Sequence, residues 1–216
     1  MIISLRLITA AVVLGICAVS MSGVMAQQAP VSSLRVIRYQ GDFTMALAGI
    51  PTAYGMTVGL ELDTQRYQTI SLSLDDATLT DAMNAIVQSS KKYQWRQSGG
   101  FIDVWPLAGG NPLLETRINS FNVKDLSVSE ALDQLLNLPE VQQNMAAHRW
   151  LRILDLHLKR RAPDAREKLS SSKFSVNLEG VSLREALDKI AQESHLAIWI
   201  FRNYPNGFFS ISSIER

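Results

Sequence analysis

Three stretches of the chain share one pattern of hydrophobic and polar positions. In "VSLREALDKI", residues 181–190, Leu183, Ala186, Leu187 and Ile190 follow the i, i+3, i+4, i+7 spacing of one buried helical stripe. "LSVSEALDQL" at 126–135 repeats the pattern, and "ATLTDAMNAI" at 77–86 is a looser copy. Before each stands an alternating segment, "FSVNLE", "INSFNV" or "ISLSLD", with the period of two of a half-buried strand. Aligned without gaps, Thr78, Ser127 and Ser182 coincide, and so do Asp81, Glu130 and Glu185 three residues on. That pairing predicts a capping box: the hydroxyl takes an orphan backbone N–H of the first turn, and the carboxylate reaches back to the N–H of the cap. A cap of this kind is worth about 1 kcal/mol. "DFTMALAGI" at 42–50 is a fainter fourth copy, with Asp42, Ala46, Leu47 and Ile50 in the same places. The repeated unit reads as strand, tight turn, capped helix.

The segments after the helices sort the copies into pairs. "YQW", the turn Gly99-Gly100 and "FIDVW" read as a β-hairpin after the helix near 77–86. "LAIWIF", the turn Asn206-Gly207 and "FFSIS" read as another after 181–190, Asn-Gly being a strong hairpin signal because both residues tolerate positive φ. The first helix is succeeded by a single strand, "MTVGLEL". The expected fold class is α+β, with two tandem modules at 35–106 and 113–214, each made of two strand–helix–strand half-repeats and closed by a hairpin. Residues 107–112 read as a linker, and the second module carries an insertion at about 139–172. Within it, Pro139 opens a short helix, "WLRILDLHLK" alternates as a strand with Leu154, Leu156 and Leu158 on one side, and "RRAPDAREKLSSS" reads as a loop.

Residues 1–26 combine Arg6, the apolar run "LITAAVVLGICAV" and the small-residue exit "GVMA", the layout of a cleaved signal peptide. The alternative is a membrane anchor through the same residues, which the interruption by Ser20, Ser22 and Gly23 disfavours. Cleavage after Ala26 removes Cys17, so the mature chain is expected to be exported and to rely on an ordinary core instead of disulfides. It also removes Arg6, and the net charge of +1 falls to zero, which offers no global attraction to nucleic acid or to an anionic membrane.

The arrangement of a strand, the phrase "x-L-x-E-A-L-x-x-I/L", a polar connection and a strand, then the phrase again with a hairpin, resembles the short N-terminal domain of secretins and TonB-dependent receptors. Residues 35–106 look like one copy and residues 118–214 like a second, stretched by the insertion. The resemblance implies a periplasmic module that docks onto another envelope protein, with no catalytic residues to carry over. No strand-rich pore or barrel region comes after the second hairpin, which departs from both settings and points to an adaptor-like or structural role.

Candidate chemistry adds little to this picture. His148, His157 and His195 have no helical i, i+4 partner among themselves, and the mature chain has no cysteine, so neither a metal site nor a cofactor is expected. The serines sit at caps and loops, outside any G-x-S-x-G elbow. Asp75, Asp76, Asp81, Glu130 and Glu185 cluster near helix starts, where capping explains them. The basic run Lys159–Lys168 includes Asp164 and Glu167 and lacks stacking aromatics, which reads as a solvated loop. Trp95, Trp105, Trp150 and Trp199 fall in expected strands as packing residues. The function expected is a non-enzymatic protein–protein interaction module whose partner is another envelope protein, with strand addition to an open sheet edge as the means. The alternatives are a small-molecule or cell-wall glycan site in a groove between the modules, or a hydrolase.

Overall fold

The computed structural model describes residues 34–63, 68–152 and 173–215. The signal peptide, His157, the strand beyond Arg152 with Leu154, Leu156 and Leu158, and the basic run Lys159–Lys168 lie outside the described residues. The architecture is mixed α+β. In chain order the elements are β1 (Arg35–Asp42), α1 (Phe43–Ala53), β2 (Thr57–Asp63), β3 (Thr69–Ala77), α2 (Leu79–Ser90), β4 (Tyr93–Ser98) and β5 (Phe101–Pro106). Then come β6 (Arg117–Leu126), α3 (Val128–Leu136), α4 (Pro139–Ala147), β7 (Leu151–Arg152), β8 (Phe174–Ser182), α5 (Leu183–Glu193), β9 (Leu196–Tyr204) and β10 (Phe208–Glu215). None of these helices is long and apolar enough to cross a membrane.

The helices begin where the sequence places them, and for the expected reason. Thr78, Ser127 and Ser182 each cap a helix by accepting from the backbone N–H of Asp81, Glu130 and Glu185, and each acid accepts in return from the N–H of its cap. Asp42 caps α1 by accepting from the N–H of Met45. Two acids grouped with these do otherwise. Asp75 lies near the end of β3 and pairs with Arg38 at 2.5 Å, and Asp76 takes a left-handed backbone with φ of 47°. Both hairpins form; Asn206 and Gly207 have φ of 69° and 79° within a short 3-10 turn.

Two small antiparallel ribbons, β1 with β3 and β6 with β8, accompany a six-stranded sheet ordered β4-β5-β2-β9-β10-β7. The first three strands come from the first half of the chain and the last three from the second. Each trio has the same design: an antiparallel hairpin whose second strand is joined in parallel by a third strand. The trios meet where β2 pairs in parallel with β9, from Val58↔Ile198 to Asp63↔Asn203.

Period-two alternation divides the shared sheet between two cores. Val58, Leu60, Ile102, Val104, Ile198 and Ile200 project into a core with Ala46 and Leu47 of α1 and Ala82, Met83 and Ile86 of α2. Phe101, Trp199, Phe201 and Phe209 project into the other core, with Ala131 and Leu135 of α3 and Ala186, Leu187 and Ile190 of α5. The helices of the two halves therefore cover opposite faces. Because β9 is buried on both sides, "LAIWIF" is a continuous apolar run, whereas β4 at the edge is polar and increasingly exposed from Tyr93 to Ser98. Burying each Leu or Ile side chain in these cores contributes about 1.5–3 kcal/mol.

Candidate functional site: a filled strand edge and its open counterpart

The junction of β2 with β9 is built around a glycine and a tryptophan. One cross-strand row of the sheet runs Arg96, Asp103, Gly59, Trp199. Side chains in a row share a face, and Gly59 contributes none, so the Trp199 indole occupies that space. A Cβ at position 59 would stand 2.6 Å from Cζ2 of the indole. The Trp199 Nε1–H donates to Oδ1 of Asp188 on α5 at 2.7 Å.

Charged groups surround this contact. Arg184 of α5 donates from Nη2 to Oε2 of Glu61 on β2 at 2.9 Å, and both side chains are almost fully buried, at 5% and 4% exposure. Glu61 Oε1 accepts from the N–H of Asn111 at 2.7 Å, and Arg184 Nε reaches Glu115 at 3.2 Å. Asp103 of β5 is held by Arg96 of β4 at 2.9 Å. Arg184 Nη1 and Asp103 Oδ1 are buried without a hydrogen-bond partner among the described residues. Desolvation, reinforced by the nearby Asp103 carboxylate, pushes the Asp188 carboxyl well above the usual aspartate range, against the Trp199 hydrogen bond and the Arg184 charge. Burial likewise raises Glu61, with Arg184 opposing. Trp199, Arg184 and Glu61 lie where the two halves meet along β2 and β9. Among the described residues, no group of three or more His, Cys, Asp or Glu side chains is arranged to hold a metal ion.

The same construction recurs at the outer edge of the sheet. The gap-free alignment that matches Thr78 with Ser182 also matches Asn84 with Asp188, Lys91 with His195 and Trp95 with Trp199. Structure agrees at each pair. Lys91, the C-cap of α2, and His195, one residue past the C-cap of α5, both take a left-handed conformation, with φ of 54° and 58°. The Trp95 Nε1–H donates to Oδ1 of Asn84 on α2 at 3.0 Å, as Trp199 does to Asp188. β4 is therefore the counterpart of β9. The difference lies outside it: β9 is covered by β2, whereas β4 pairs only with β5 among the described residues. Trp199 is 2% exposed, while Trp95 is only partly buried.

The backbone of β4 is oriented to receive a strand. Lys92 O accepts from the N–H of Leu107 at 2.8 Å, which sets Lys92, Gln94 and Arg96 as the residues bonded to β5. Alternation then turns the N–H and C=O groups of Tyr93, Trp95 and Gln97 outward.

The remaining singled-out residues have local roles. His195 is the left-handed turn residue after α5. His148 stacks on Trp150 with ring centroids 4.7 Å apart and bonds to the carbonyl of Asn144 through Nδ1. Trp150 precedes β7 instead of lying in it, because α4 runs to Ala147 and its exit turn uses Trp150 N–H to bond Met145 O. Trp105 is in β5 beneath the Arg96 guanidinium, 5.5 Å from ring centroid to Cζ. The Trp95–Trp199 correspondence is legible in the sequence once the repeat is extended past the helices. The Arg184–Glu61 contact carries no comparable signal, since nothing local pairs a polar strand position with a polar helix position. No family model, curated protein or solved structure matches the chain.

Proposed function

We propose that the chain is a non-enzymatic, periplasmic protein–protein interaction module that binds another envelope protein by adding a strand to the edge of its sheet. The observation that carries this reading is the correspondence of β4 with β9. The chain joins its own two halves by laying β2 along β9, and it presents the same strand, with the same tryptophan and the same indole acceptor position, at an edge paired on one side only among the described residues. Exposed edges attract strands, and natural sheets tolerate them where function uses them or where charge guards them. The buried acids that would be the first candidates for catalysis have structural partners: Glu61 pairs with Arg184 across the two halves, Asp103 with Arg96 inside the first half, and Asp188 accepts from Trp199 inside the second.

Affinity capture from an envelope extract, comparing the native chain with Gln97→Pro, tests the reading. Gln97 turns its N–H outward, so proline there removes a donor from the edge and none from the β4–β5 ladder. A specific protein captured by the native chain and lost with Gln97→Pro is expected. Equal capture by both would remove β4 as the docking edge.

A further inference from the structure

We infer that the occupant of the β4 edge is an extended segment of a separate protein, running parallel to β4, with a glycine facing Trp95 and a carboxylate beside it facing Arg96. This rests on the strand-addition reading and specifies the partner.

The template is the junction inside the chain. β2 runs parallel to β9 and sets Gly59 opposite Trp199, so that the indole lies over a backbone without a side chain. Trp95 occupies the corresponding place and holds its ring by the corresponding hydrogen bond, from Nε1–H to a helix residue. An incoming strand in the same register therefore meets an indole, and any Cβ at the facing position meets the clash that a Cβ at position 59 would meet. The glycine is a steric requirement, and covering Trp95 would bring its exposure toward that of Trp199.

The neighbouring positions differ between the two edges, and the difference sets the rest of the occupant. Opposite Leu60 of β2 stands Ile200, in a dry core. The counterpart of Ile200 on β4 is Arg96, whose side chain is 59% exposed. The residue after the glycine would thus face a guanidinium that holds Asp103 through Nε alone, and an acidic side chain directly across the strands is favoured beside its exposed remainder. The counterpart of Arg184 is Thr80, so the partner for a carboxylate at the Glu61 position is missing on this side. A second copy of the chain is a poorer fit than a strand with this pattern: β2, the one strand shown to make the contact, is already held between β5 and β9.

A synthetic peptide spanning Thr57–Asp63 with Leu60→Glu is a direct probe, because it keeps the glycine and places a carboxylate against Arg96. Titrated into the purified chain, it is expected to bind with the amides of Trp95 and Gln97 shifting most in nuclear magnetic resonance spectra. A spin label on the peptide's N-terminus is expected to broaden Tyr93 more than Ser98, as a parallel strand requires. Gly59→Val in the peptide, Gln97→Pro in the chain, or Arg96→Glu in the chain should each weaken binding at least about tenfold. Two chain variants are used so that misfolding of one, seen in its circular dichroism, leaves the other to decide. Binding that ignores Gly59→Val, shifts located away from β4, or no binding at millimolar peptide would overturn the proposed occupant. So would concentration-dependent self-association abolished by Gln97→Pro, which would assign the edge to a second copy. Should Gln97→Pro abolish capture of an envelope protein while the peptide fails to bind, the docking edge stands and this occupant falls.

Discussion

The Trp199 indole lies across Gly59, so close that a Cβ on the glycine would stand within 2.6 Å of the ring, and the indole N–H is tied to Asp188. This one contact couples β2, β9 and α5. It links the two halves of the chain in three dimensions, and its counterpart, Trp95 with Asn84, is the reason β4 is read as a docking edge.

Gly59→Ala should destabilise the protein. Gly59 has an ordinary strand backbone outside the positive-φ region, where alanine on its own would stabilise by restricting the unfolded chain. The clash with a buried, hydrogen-bonded ring reverses the sign, and overpacking of this kind costs about 1–3 kcal/mol. Urea unfolding checks it; an alanine variant as stable as the native chain would show that the indole can move aside.

Arg184 and Glu61 should be strongly coupled. Removing one partner of a buried ion pair leaves a desolvated charge and costs about 3–5 kcal/mol, whereas replacing both with apolar side chains is often close to neutral. Arg184→Met is therefore expected to be far more damaging than Arg184→Met combined with Glu61→Leu. A double-mutant cycle measures the coupling, and additive losses would contradict a buried pair.

Asp188 should make the fold weaker on the alkaline side of its own titration. Its folded pKa is raised, so the folded state holds the proton more firmly than the unfolded chain. The proton-linked stability is fully present below the ordinary aspartate value of 3.8 and is lost as pH rises through the folded pKa. Asp188→Asn keeps the oxygen that accepts from Trp199, as Asn84 does for Trp95, and removes the charge. The variant should be more stable than the native chain at neutral pH and should lose this part of the pH dependence. Urea midpoints measured from about pH 4 to about pH 8 decide it; parallel curves for the two proteins would refute the assignment.

The capping acids carry the opposite sign. Bonds from Thr78, Ser127 and Ser182 hold the carboxyls of Asp81, Glu130 and Glu185 below their ordinary values, so their contribution is present above the unfolded pKa and disappears as pH falls through the folded one. Ser127→Ala should cost about 1–2 kcal/mol at neutral pH, since Ser127 is buried and its helix is only Val128–Leu136. The deficit should shrink as pH falls through the lowered pKa of Glu130, where the acid in the box gains its proton. Thermal unfolding at both ends of the range measures it.

The repeated phrase determined the local structure because everything it needs is nearby. A hydroxyl and an acid three residues apart find each other in one turn of helix, and an apolar stripe or an alternating run selects its own period. The helix starts, the hairpins and the α+β class came from those short-range rules. Which strands would share a sheet did not. In the sequence Glu61 is one polar residue in the strand "MTVGLEL", with no local sign of a partner; in the fold it is buried, and the arginine that pairs with it is 123 positions away. The same holds for Gly59, which is a weak point in an isolated strand and a required gap once Trp199 is laid across it. Tertiary structure alone decided that β2 would lie along β9, because the pairing joins strands far apart in the chain, from Val58↔Ile198 to Asp63↔Asn203, where no short-range rule acts. That decision turned one tryptophan strand into a buried seam and left its twin at the edge.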